Sequence, residues 1–117
     1  MDYNELFKER TKKLAIEVIS SFSNLPYSDA ISVIRKQIIR SSTSVAANYR
    51  AVIRARSIKE KYAKLSIVVE EADETLFWLE ISEDLGLLPS EIFKHLKQEA
   101  EEIVKATASY RKKLNEN

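Results

Sequence analysis

Cysteine is absent from the 117-residue chain, which excludes disulfides and thiolate metal ligands and fits a reducing compartment. Glycine occurs once, at Gly86, and proline twice, at Pro26 and Pro89. So little punctuation excludes a glycine-rich phosphate loop and favours long helices joined by few turns. The single histidine, His95, has no histidine partner, and no Glu-x-x-His pair occurs anywhere; a di-metal centre built between bundle helices is therefore not expected. No run of about 18 apolar residues is present. The opening stretch "MDYNELFKERTKK" is charged from its start and lacks an apolar signal core. A cytoplasmic protein without a membrane partner is expected.

What the chain does contain is 44% hydrophobic and 32% charged residues, the balance of one globular domain with a real core. The net charge of +1 conceals two opposed blocks. Between Arg35 and Lys64 nine basic residues face Glu60 alone, net +8. From Glu70 to Glu102 eleven acidic residues face Lys94 and Lys97, net −9. Such blocks meet each other, another subunit or a charged partner.

Apolar spacing predicts four helices, at about 3–24, 29–55, 57–85 and 90–114. The first carries Phe7, Leu14, Val18 and Leu25 on one stripe, with Ala15, Ile19 and Phe22 beside it, and ends at "NLPYSD". Ser28 or Asp29 caps the second, whose face runs Ile31, Ile34, Ile38, Val45, Val52. Ser57, three residues before Glu60, caps the third, with Ile58, Tyr62, Leu65, Val69, Ala72, Leu76 and Leu79 in heptad order. Gly86 stops it, and Ser90 caps a fourth helix carrying Phe93, Leu96, Ala100, Ile103, Thr107, Tyr110 and Leu114. Short connections make an antiparallel up-down four-helix bundle the economical all-α fold.

The row "RSSTSVAANYR" at 40–50 lies inside the second helix, because apolar periodicity continues through it without a break. Ser41, Ser44, Ala47 and Asn48 are the expected helix-packing seam, with small side chains allowing close approach and Asn48 setting register. No histidine or lysine base is spaced to activate Ser44. "EEADE" at 70–74 lacks the loop and glycine of a calcium-binding hand and reads as a solvated or interface face. His95 reads as a surface or edge residue. No catalytic residue, metal or cofactor is expected.

Basic side chains carry the remaining signal. Lys36, Arg40, Arg50 and Arg54 recur at intervals of 4, 10 and 4, broadly on one side of a helix. With Arg56, Lys59 and Lys61 they can neutralise phosphates without reading sequence. Equally, Arg40, Arg50, Arg54, Arg56, Lys59 and Lys61 can pair with the acidic third and fourth helices, within or between subunits.

Taken as one ordered pattern, Arg40, Ser44, Val45, Asn48, Tyr49 and Arg50, then "RARS" at 54–57, Lys64 and Leu65, and "EEADETLFWLE" at 70–80 resemble a known signature. It is that of the small four-helix-bundle proteins encoded in intervening sequences of bacterial 23S ribosomal RNA genes. The resemblance implies a ring-shaped homopentamer with no established enzymatic activity. A branch that looks related, the accessory variability determinant of diversity-generating retroelements, is a basic pentamer that binds a reverse transcriptase and nucleic acid. This near-neutral chain departs from that branch in its overall charge. Two expectations follow: a non-catalytic homo-oligomeric scaffold presenting a composite surface, or an accessory protein binding RNA or DNA through the basic second helix and junction.

Overall fold

The computed structural model describes residues 2–115. Four helices account for nearly all of them: α1 (Tyr3–Phe22), α2 (Asp29–Ile53), α3 (Ile58–Asp84) and α4 (Ser90–Asn115), with no strand among the described residues. The body measures 47 × 24 × 21 Å, its length set by helices of 25 to 27 residues at about 1.5 Å per residue.

Helix starts follow hydrogen-bonding side chains. Asp2, Ser28 and Ser57 accept from the backbone N–H groups of Glu5, Ile31 and Glu60 at 2.8, 3.0 and 3.0 Å, each satisfying a donor that the first turn leaves free. At α4 the expectation is corrected. Ser90 is the first helical residue, not the cap, and the Pro89 carbonyl accepts from Ile92 and Phe93. The stop after α3 is complete: Gly86, at φ +66°, donates to Glu83 O and Leu87 donates to Ser82 O, the paired bonds of a left-handed helix end. Helix α1 ends two residues earlier than spacing implies. There Arg35 reaches across from α2 and donates to the carbonyls of Phe22 and Leu25 at 3.3 and 2.8 Å, replacing partners a longer helix would provide.

Close backbone contacts join α1 to α2, α2 to α3, α3 to α4 and, most thinly, α1 to α4. Between α1 and α4, Tyr3 bonds Ala106, Arg10 bonds Glu99 and Glu102, and Glu17 meets His95. Rising numbers on one helix thus meet falling numbers on the other. The core between them is built from Phe7, Leu14, Val18 and Phe22 of α1, Ile34, Ile38, Val45, Tyr49 and Val52 of α2, Leu65, Val68, Ala72 and Leu79 of α3, and Phe93, Leu96, Ala100 and Ile103 of α4.

Six hydroxyl side chains are buried with them: Thr11, Ser41, Ser42, Thr75, Ser82 and Thr107. Each lies within hydrogen-bond reach of a carbonyl three or four residues back on its own helix, so burial leaves no orphaned donor. Thr75 and Ser82 occupy core positions of α3, whereas Ile58, assigned by heptad to the stripe, is the first residue of the helix and is 59% exposed. Among the described residues no helix is long and apolar enough to cross a membrane.

Candidate nucleic-acid interface

Within the serine row, close helix packing passes through Ser41 and Ser42, which are fully buried, while Ser44 is half-buried and Ala47 exposed. Ala47 therefore does not line the contact between α2 and the other helices of this chain. Its position, two residues from both Val45 and Tyr49, turns it to the opposite side of the helix. Asn48 is half-buried, and its amide donates to the Ser44 carbonyl and hydroxyl at 2.9 and 3.0 Å. Those bonds stay on α2, so Asn48 sets no register against another helix of the chain.

The six basic candidates divide. Arg40 donates to Glu71 at 2.8 Å and to Glu74, tying α2 to α3; Trp78 Nε1 also donates to Glu74, at 3.3 Å. Partial withdrawal from water opposes its charge, but the hydrogen bonds to Glu74 and Glu71 outweigh this and hold the guanidinium more firmly protonated than usual. Arg40 is thus neutralised from inside the chain. Arg56 is 90% exposed and pairs with Glu60 at 3.8 Å, a pairing worth little. Arg50, Arg54, Lys59 and Lys61 have no ion pair among the described residues.

Those free cations lie at one end of the bundle. Asn4 at the start of α1 meets Tyr49 near the end of α2, Tyr3 stacks edge-on to Tyr110 of α4, and Arg111 sits 6.0 Å from the Tyr62 ring of α3. Segments 2–8, 50–64 and 105–115, brought together there, hold eleven basic residues against Asp2, Glu5 and Glu60. The net +8 of this end in a chain of +1 makes the molecule electrostatically lopsided along its length.

Comparison with known families bears on that arrangement. The family description "23S rRNA-intervening sequence protein" matches residues 6–109. The chain belongs to that family. A solved protein of unknown function from the S23 ribosomal protein family of Bacteroides thetaiotaomicron is 29% identical, with a TM-score of 0.84 over 93% of this chain and 97% of the other. No curated protein matches the chain.

In this 23S rRNA-intervening sequence protein the two halves of the signature are joined physically, since Arg40 belongs to the first and Glu71, Glu74 and Trp78 to the second. Ser57 of "RARS" caps α3. Much of the signature therefore secures the α2–α3 pairing and leaves Arg50, Arg54 and Arg56 outside it. Sequence reasoning missed two contributors to the basic end. Lys112 and Lys113 close α4, and Tyr3, Phe7, Tyr49 and Tyr110 form an aromatic cluster at the same end. Only the folded chain brings the "YRKK" stretch at 110–113 to the α2–α3 junction. Among the described residues no three His, Asp or Glu side chains come together to hold a metal ion. His95, exposed on α4, lies 2.6 Å from Glu17 of α1.

Proposed function

We propose that the protein is a non-catalytic homo-oligomeric scaffold whose basic end engages the phosphate backbone of a nucleic acid. One observation carries this reading: Arg40 is consumed by Glu71 and Glu74, while Arg50, Arg54, Lys59 and Lys61, at a common end, have no ion pair among the described residues. Cations with internal partners hold the fold, and cations without them are left for an outside anion. The opposed running of paired contacts supports an up-down bundle. The family signature supports a ring-shaped homopentamer. Leu6, Ile16 and Ile19, 41%, 53% and 38% exposed on the outside of α1, supply apolar area for a neighbouring subunit to cover. A ring of such subunits gathers several basic ends, multiplying weak phosphate contacts by avidity.

Two measurements test the proposal. Light scattering is expected to give a mass several times 13.5 kDa, and a monomer at micromolar concentration removes the scaffold. A mobility-shift titration with RNA and with DNA is expected to show binding that weakens steeply as salt rises. No shift at low salt removes the phosphate-binding role.

A further inference from the structure

At the basic end an open cleft of about 400 Å³ is lined by Asp2, Tyr3 and Asn4 of α1 and by Tyr110 and Lys113 of α4, a size in the range of small-ligand sites. We infer that this cleft takes an unpaired base of single-stranded nucleic acid, stacked on the face of one of the two perpendicular rings, Tyr3 or Tyr110, with the other ring against it edge-on, while its phosphates lie on the surrounding cations. The inference rests on the reading of the basic end as a phosphate-binding surface and names the class of nucleic acid it prefers.

The platform is built before any ligand arrives. Tyr3 is 43% exposed, yet its ring is held from three sides. Its hydroxyl donates to Ala106 O at 3.1 Å, Phe7 lies 4.7 Å away, and Tyr110 meets it edge-on at 5.5 Å and 88°. In such a T-shaped pair at least one ring keeps both faces clear of the other. A ring already fixed loses little freedom on stacking with a base. Below, Phe7 rests on the buried ring of Tyr49, so the aromatic cluster is anchored in the core.

Charge decides which part of a nucleotide enters. Asp2 stands at the cleft with one carboxylate oxygen accepting from Glu5 N–H, and its negative charge repels phosphate while accepting from an exocyclic amine. A neutral heterocycle fits inside, and the phosphates go outside, toward Arg50 and Arg54. Bases within a duplex are paired and stacked and cannot reach the cleft; unpaired ones can, and an aromatic platform accepts any of them because every base has a ring face.

The test uses the full chain and a fluorescently labelled strand of about 12 nucleotides, followed by anisotropy against a duplex of the same sequence, with inorganic polyphosphate as a base-free competitor. The single strand is expected to bind more tightly than the duplex. Tyr3→Leu and Tyr110→Leu are expected to weaken single-strand binding roughly five-fold or more and leave duplex binding unchanged, while Tyr3→Phe and Tyr110→Phe retain it. Equal binding of strand and duplex, with Leu variants indistinguishable from the parent, overturns the cleft and leaves the phosphate surface standing. No binding of either at low salt overturns both. Should the Leu variants fail to fold, photocrosslinking a halogenated-uracil strand to the parent protein decides: adducts at Tyr3 or Tyr110 support the cleft, and adducts confined to other residues overturn it.

Discussion

Ser41 on α2 and Thr75 on α3 place their hydroxyl oxygens 2.8 Å apart in a fully buried contact between helices. Each also reaches a carbonyl of its own helix, Ile38 O or Glu71 O, so either can donate across the gap while the other donates backward. Ser41→Ala leaves Thr75 its own carbonyl and is expected to cost about 1 kcal/mol. Ser41→Leu forces extra carbons into a closed contact, at roughly 1–3 kcal/mol. Chemical denaturation of both variants checks the order, and equal stability of all three proteins would show that the contact is not close-packed.

Ala47→Leu separates folding from assembly. Ala47 is exposed on α2, so the substitution is expected to change the stability of the isolated subunit by less than about 0.5 kcal/mol. If a neighbouring subunit lies on this face, the added bulk lowers the oligomeric mass at unchanged helix content. A lowered unfolding midpoint at constant mass contradicts the exposed placement.

Two arginines predict opposite phenotypes. Arg40→Ala breaks the exposed links to Glu71 and Glu74 and is expected to cost about 0.2–1 kcal/mol, less at high salt. Arg54→Ala is expected to leave the melting temperature unchanged but flatten the salt dependence of nucleic-acid binding by about one unit of slope. Melting curves at low and high salt, paired with binding titrations, distinguish the two.

Gly86→Ala tests the helix stop. A methyl group there meets nothing within 4 Å, so the whole effect is the positive φ of 66°, worth about 1–2 kcal/mol in a residue with a Cβ. Gly86→Asn, which tolerates this conformation better, is expected to cost less. A Gly86→Ala variant as stable as the parent shows that the chain can leave α3 another way.

Tyr49 predicts a loss of stability in alkali. Burial first, then the neighbouring Tyr3, Tyr110 and Asp2, push its phenol well above the ordinary tyrosine value of 10.0. Below about pH 10 it is neutral in both folded and unfolded chains, and its contribution is intact. Above that, the unfolded chain loses the proton first, so stability falls as pH rises. Tyr49→Phe gives up only the 3.4 Å contact with Asn4, long for a hydroxyl bond. Its unfolding midpoint is expected to fall less steeply than the parent's between pH 10 and 11; parallel curves refute the assignment.

Apolar periodicity and caps made the four helices legible, because Ser28 and Ser57 sit where a free N–H needs an acceptor and Pro26 and Gly86 interrupt the only long runs. Polar members of the core were less visible. Thr75 and Ser82 count against burial on any hydropathy scale, yet their hydroxyls bond to their own helix and pass into the core without penalty. The end of α1 was overestimated for a different reason. Arg35, 13 residues after Phe22, caps a helix from outside it, and sequence spacing holds no trace of that. For the candidate site, the basic residues were apparent and their fates were not. Arg40 and Arg54 look alike along the chain, and only the approach of Glu71 and Glu74 separates a fastening from a free cation.

The thin contact between α1 and α4 carries a consequence for how the molecule comes together. The other three pairings join helices that follow one another, so each can close as a local hairpin with little loop entropy to overcome. The α1–α4 seam instead spans 78 to 103 residues and is fastened largely by polar side chains at its rim. It is therefore the last seam to close and the first to open. Amide hydrogens of α1 are expected to exchange through rare sub-global opening well before those of α2 and α3, while the signature-bearing pair stays shut.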